Sequence, residues 1–278
     1  MNHHLLRSTA IGFLPILGLL TLTTLLGCQD QTGSLSSGQG PSSRPSSRPA
    51  PKTKRLPDTK GFDALLHRIV KKGKVDYASL QKDHKQLDAF LESLSKANLE
   101  GASKEEQLVF WINAYNAGCL KLVLDHILGR GPMGRDLEGV LKVAGFFKKR
   151  EIKVAGSLLS LDAIETNGRK LGDPRIHFAV NCASVSCPPI REAAWVVDGL
   201  DEALTRATER YLASPQGLQI TKDGVRISKI FQWYQKDFGG LKGVRAFLMR
   251  YAPKAAKEKL AGSIDWLEYD WSLNRWSK

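Results

Sequence analysis

The side chains best suited to chemistry crowd into one short stretch of this chain. His177, Asn181, Cys182, Ser184 and Cys187 fall within eleven positions, carried by an apolar run (Ile176, Phe178, Ala179, Val180) and closed by Pro188 and Pro189. The run reads as a strand over 175–181 that delivers an imidazole and two thiols to a rigid loop. An imidazole near a thiol favours thiolate, and thiolate is the nucleophile. On this reading Cys182 or Cys187 attacks, His177 is the base, and Glu165 orients the ring as the third member of a triad does. Asn181, with Asn113 and Asn116, offers amide donors for an oxyanion. Positions five apart on a strand point to opposite faces. His177 and Cys182 therefore share a cleft only if the chain bends at Asn181; otherwise the partner is Cys187.

A second reading makes the same residues scaffold. Cys182 and Cys187 close a disulfide-bonded loop, and His177 is a core histidine bonded to Glu165 or to a backbone carbonyl. Asn113 and Asn116 sit on a central helix with Trp111 and satisfy loop backbone, because buried amides are costly to leave unpaired. The protein is then a non-catalytic module that grips peptide, glycan or a partner. Its binding candidates are Trp111, Asn113, Asn116, Asp237 and Asp270, the two acids standing beside Phe238 and Trp271. His177, Cys182 and Cys187 are donors that a metal accepts, but their spacing is no zinc signature, and no metal is expected. No cofactor is expected either, for the chain lacks a Walker or dinucleotide glycine motif.

The N-terminal segment reads as targeting rather than fold. Arg7 precedes an apolar run from Ala10 to Leu26, and Gly27-Cys28 follows. By pattern, residues 1–27 are a secretory signal peptide. The cysteine resembles the lipobox of bacterial lipoproteins. That resemblance implies cleavage before Cys28, acylation of Cys28 (diacylglycerol on sulfur, a palmitate-type chain on nitrogen) and a membrane anchor. Gln29 in the second position implies the outer membrane, facing the periplasm. Several acyl chains hold a protein to a bilayer without a spanning helix. Residues 28–57 are Ser-, Gly- and Pro-rich, with Ser-Ser-Arg-Pro at 42–45 and again at 46–49. They form a tether, since such composition buries too little apolar surface to fold. Residues 58–278 remain as one globular domain.

The chain has 278 residues, a formal net charge of +13 and four cysteines. The basic runs (Lys71–Lys74, Lys148–Arg150, Lys254–Lys259) are not interleaved with aromatics as a nucleic-acid platform would be, so no nucleic-acid partner is expected. A lipid surface or an envelope polymer or peptide fits an exported basic domain better. With Cys28 lipidated, three cysteines remain, and at least one thiol stays unpaired within the chain. Cys119 lies among apolar helix residues and reads as a small buried hydrophobe.

Elements follow from periodicity and punctuation. Helical stripes run from Phe62 to Val70, stopping at Gly73, and from Leu80 to Leu94, separated by an extended piece at 75–77. Ser103 and Glu106 form a capping box before a long central helix from Leu108 to about Leu128. A hairpin over 152–161 turns at Gly156-Ser157, and Asp162 opens a short helix. Gly199–Leu212 is helical, 218–220 and 225–227 form a second hairpin, and short helices follow at Ser228–Phe238 and Val244–Tyr251. Residues 264–273 close the chain in extended form. The expectation is α+β: one compact domain with helices packed around a small, mostly antiparallel sheet.

Five segments in order, 73–77, Phe110–Asn116, His177–Pro188, Ser228–Phe238 and Tyr269–Asn274, resemble the DUF547 family across nearly the whole of 58–278. The resemblance implies a fold unit, one found in bacterial exported proteins and in eukaryotic multidomain proteins, but no reaction. One departure is visible. After Ile164-Glu165 the chain runs Thr166, Asn167, Gly168, where the family often carries a more basic or histidine-containing stretch.

Overall fold

The computed structural model describes residues 54–128 and 137–277. The expected leader, Cys28 and the tether up to residue 53 lie outside those residues. The order is α1 (Lys60–Ile69), β1 (Val70–Lys71), β2 (Lys74–Val75), α2 (Tyr77–Lys82), α3 (Lys85–Ser95) and α4 (Lys104–His126). Then come β3 (Glu151–Val154), β4 (Ser157–Ser160), α5 (Leu161–Arg169), a 3₁₀ turn over Pro174–Phe178, and α6 (Leu200–Leu212). The last part holds β5 (Leu218–Ile220), β6 (Gly224–Ile227), α7 (Ile230–Trp233), a 3₁₀ turn over Gln235–Phe238, α8 (Gly240–Tyr251), α9 (Lys254–Lys257) and β7 (Ser263–Trp266). The class is α+β, as expected. The strands form three small sheets rather than one: β1–β2 and β3–β4 are antiparallel pairs, and in β5–β6–β7 the last strand lies parallel to β6. No helix among the described residues is long and apolar enough to cross a membrane.

α4 is the central element. Ser103 Oγ accepts from Glu106 N and Glu106 Oε2 accepts from Ser103 N, which completes the anticipated capping box. From Leu108 to Leu124 most of its residues are buried, the pattern of a helix enclosed on nearly every side. α5 packs along it through Gly168, where a Cβ would fall 2.4 Å from Ile176 Cδ1 and 3.2 Å from Trp111 Cβ. A glycine at this position lets α5 approach α4 closely.

Two boundaries differ from the periodic reading. α1 stops at Ile69 because Lys72 and Gly73 both take positive φ (51° and 76°) and fold Val70–Val75 into a tight hairpin. The stripe from Leu80 to Leu94 is two helices, α2 and α3, broken where Asp83 turns extended.

The expected strand over 175–181 is instead a 3₁₀ turn followed by a loop. Asp173 Oδ1 accepts from Arg175 N and Pro174 occupies the first position, a combination that starts a turn. The whole segment from Ile176 to Asn181 is buried, so its apolar run has no solvent face to reveal a period. Ile176 faces a core built on α1, α3 and α4, whereas Phe178 belongs to a second core with Tyr211, Phe231, Phe238 and Phe247 packed about it.

Side-chain amides of α4 stitch this loop to the core. Asn113 Nδ2 donates to Trp195 O (2.8 Å) and Asn113 Oδ1 accepts from Trp195 N (3.0 Å). One turn on, Asn116 Nδ2 donates to Ala179 O (3.0 Å) and Asn116 Oδ1 accepts from Asn181 N (2.9 Å). Each amide replaces a peptide partner for backbone that no ladder reaches. Asn116→Ala orphans two buried backbone groups, and we expect a loss of about 1–3 kcal/mol for each. Urea denaturation should show the lower midpoint, and an unchanged midpoint would remove the clamp role.

Candidate active site

Cys182 follows directly from the Asn116 clamp. Asn181 N is held by Asn116, Asn181 Nδ2 donates to Pro188 O (2.8 Å), and Asn181 Oδ1 accepts from Ala183 N and Asn274 Nδ2 (3.0 Å each). Asn274 Oδ1 in turn accepts from Tyr77 OH (2.7 Å), while Asn274 N donates to Ala183 O (2.9 Å). This buried network holds Ala183 at φ +63°, a left-handed conformation that costs a non-glycine residue about 1–2 kcal/mol. Strain of this sort persists only where the surroundings over-determine it. Its effect is a sharp bend immediately after Cys182.

The bend aims the Cys182 thiol into a pocket of about 190 Å³. Its Sγ lies 3.4 Å from Ser184 Oγ and 3.4 Å from Tyr269 OH, and its backbone N–H donates to Cys187 Sγ at 2.9 Å. Burial opposes ionisation of Cys182, yet hydrogen bonds from Cys187, Ser184 and Tyr269 outweigh it and bring the thiol down to about 7. Cys187 is pushed the other way, by burial and by its neighbour Cys182, and stays a neutral donor. Cys119 on α4 is likewise raised by burial. The three cysteines among the described residues are free thiols, so Cys182 and Cys187 do not form the disulfide weighed from the sequence.

His177 lines the same pocket, because the 3₁₀ turn removes the strand alternation that would have separated it from Cys182. Its partners are carboxylates. Nε2 is 2.8 Å from Asp237 Oδ2, and Nδ1 is 3.7 Å from Glu165 Oε1. The ring stacks on Tyr234 with centroids 4.1 Å apart. Asp237 also takes a two-pronged contact from Arg169, Nε at 2.6 Å and Nη2 at 3.0 Å. The His177 and Arg169 hydrogen bonds hold its carboxyl well below the usual carboxylate range. An ionised Asp237 accepts the Nε2 proton and thereby fixes the tautomer, which leaves Nδ1, beside Glu165, as the atom that can exchange a proton. Asp237 is therefore the carboxylate hydrogen-bonded to the ring, while the Glu165 oxygen expected there stands beyond hydrogen-bond reach.

Other expected site residues are placed elsewhere. Asn113, Asn116 and Asn181 bond backbone and one another, and none of the three lines the pocket. Trp111 is wedged between α4 and α5 against Gly168 and does not line the pocket. Asp270 is exposed, and its Oδ1 accepts from Ser272 N in a turn. Among the described residues no group of three or more His, Cys, Asp and Glu side chains converges as metal ligands would.

Several working residues were not anticipated. The phenols of Tyr115, Tyr234 and Tyr269 line the pocket. Burial comes first in raising all three, joined by Glu165 for Tyr115 and Tyr234 and by Cys182 for Tyr269. They stay protonated and remain hydrogen-bond donors. Tyr269 arrives because residues 270–274 run along the cysteine loop: Ser186 N donates to Asp270 O, Val185 N to Ser272 O, and Asp270 N to Ser186 Oγ. Trp233, Tyr269 and Trp271 form an aromatic wall with centroids 4.6–5.5 Å apart. Tyr115 belongs to the Phe110–Asn116 segment, and Tyr234 and Tyr269 to the Ser228–Phe238 and Tyr269–Asn274 segments, near Asp237 and Asp270.

Residues 99–212 match the family model described as "Protein of unknown function, DUF547". The match includes Tyr115, Glu165, His177, Cys182 and Cys187 and ends before Tyr234, Asp237 and Tyr269, so it covers less of the chain than the resemblance in sequence implied. No curated protein and no solved structure matches the chain.

The thiol chemistry has a direct readout. Alkylation of Cys182 by iodoacetamide should rise with pH to half its plateau near the thiol's value of about 7, while Cys119 and Cys187 stay unmodified in folded protein. Tyr269→Phe and Ser184→Ala each remove a donor to the thiolate and should move that midpoint upward. Equal labelling of all three cysteines, or a midpoint the variants leave in place, would contradict the assignment.

Proposed function

We propose, for this chain whose residues 99–212 match the DUF547 family model, thiol-dependent acyl transfer or hydrolysis on an envelope substrate. The observation that carries this reading is the ionisable Cys182, bent into the pocket by Ala183 and facing the same space as the His177–Asp237 pair. Cys182 passes its thiol proton to His177 Nδ1, and the thiolate attacks an acyl carbonyl carbon; the S–C bond forms and the π pair moves onto oxygen. The tyrosine hydroxyls of the pocket are the donors for that oxyanion, the role fixed dipoles play in such sites. Collapse expels the leaving amine or alkoxide, which takes a proton from His177 Nδ1. Water or a second nucleophile then gives its proton back to Nδ1 and attacks the thioester carbonyl, and thiolate departs. Asp237 keeps the ring in the tautomer that leaves Nδ1 for this exchange. The aromatic wall and the apolar pocket favour an uncharged acyl portion over a carboxylate.

The cellular setting is part of the same proposal. Acylation at Cys28 holds the domain at the envelope, and residues 28–57 set its reach.

Incubating the full chain with p-nitrophenyl acetate tests the reaction. Mass spectrometry of the digest should find an acetyl group on the peptide bearing Cys182. Cys182→Ser should abolish the adduct, Cys187→Ser should retain it, and Asp237→Asn should slow turnover by roughly a hundredfold. An adduct that survives Cys182→Ser sinks the reading. Location is tested separately: Cys28→Ser should move the protein from the membrane to the soluble fraction, and unchanged membrane fractionation would overturn the anchor.

A further inference from the structure

A second pocket, also of about 190 Å³, is bordered by Pro189 and Phe178 and shares no lining residue with the first. α6 supplies one wall through positions 203, 206, 207 and 210, which recur on one helical face. Ala203 and Ala207 are its small residues, while Arg206 and Arg210 flank them and are exposed. Arg191 faces them from the loop, half-buried, with its guanidinium 5.1 Å above the Trp195 ring and Nη1 donating to Ala194 O at 3.2 Å. Trp195 Nε1 is itself buried with no hydrogen-bond partner among the described residues.

Three guanidiniums therefore border one cavity, and among the described residues none of them has a carboxylate within 4.0 Å. The other arginines in ion pairs, Arg68, Arg169 and Arg175, have theirs. Burial, followed by the charge of Arg206, holds Arg191 below its ordinary value; Asp63 partly offsets this, and Arg210 adds to the repulsion. Like charges gathered around a concavity cost free energy that a bound anion recovers. Arginine forks match tetrahedral oxyanions, which can present separate oxygens to several guanidiniums.

We infer that this pocket binds a phosphoryl group, with Arg191, Arg206 and Arg210 donating to its oxygens. The group is either a small soluble phosphate ester or the phosphate of a lipid headgroup, and the chemistry of recognition is the same. The site is independent of the thiol chemistry and stands whether or not that chemistry occurs.

The test uses the full chain bearing Cys28→Ser, so that an acyl anchor does not mask lipid binding. Calorimetric titration with inorganic phosphate and with glycerol 3-phosphate reads the soluble arm. Co-sedimentation with phosphatidylglycerol vesicles, against phosphatidylcholine vesicles, reads the headgroup arm. In at least one arm the native arginines should give saturable binding that weakens with salt and falls at least about tenfold in Arg206→Gln/Arg210→Gln. Arg226→Gln, at an exposed position on β6, should leave binding unchanged. Arg191→Lys retains charge but loses the fork, and should weaken binding without abolishing it. Absence of saturable binding in both arms, or binding equally sensitive to Arg226→Gln, overturns the assignment.

Discussion

One buried chain of amides governs the geometry of this protein. Asn116 on α4 grips Asn181, Asn181 grips Ala183 and Asn274, and Asn274 is held by Tyr77. Every polar atom so buried must find a partner, so the network closes as a unit. Its product is the left-handed Ala183, and through it the direction of the Cys182 side chain. The polar residues that the composition of the loop offered as catalytic donors are thus the frame of the site. The phenols that face the pocket, Tyr115, Tyr234 and Tyr269, are carried by other segments.

The arrangement divides labour between the two thiols and separates the sulfur from the imidazole. Cys187 is kept neutral and Cys182 is eased toward thiolate by neutral donors rather than by an imidazolium partner. His177 is engaged by Asp237, which Arg169 braces from the side. Arg169 lies on the last turn of α5, and Asp237 sits in a turn of the second core, so the ion pair also ties the two hydrophobic clusters together. The Gly168 contact that brings α5 against α4 thereby sets the position of Arg169 as well as that of Glu165.

Much of the fold was legible in sequence where the physical signal is local. The capping box at Ser103, the turn chemistry of the β3–β4 and β5–β6 hairpins, and the apolar circumference of α4 depend on neighbours a few residues apart. The 3₁₀ turn over Pro174–Phe178 was not legible, because a segment buried on all sides has no polar face to report its period. The cluster around His177 and the cysteines was visible as residue types. Its wiring was not: Asp237 lies 60 positions from His177 and Tyr269 lies 87 from Cys182, distances over which spacing carries no information. The asparagines misled for a related reason. An amide suited to an oxyanion is equally suited to a peptide group, and only the tertiary surroundings decide which it meets.

The link between Tyr77 and Asn274 spans 197 positions. Tyr269 and Asn274 belong to a segment that also bonds to Val75 and to the cysteine loop. A growing polypeptide that has not yet supplied these residues lacks both the phenol beside the sulfur and the amide that locks the bend. High contact order makes such closure a late event in folding. The sulfur therefore gains the last of its donors, the Tyr269 phenol, only once translation has delivered the final stretch.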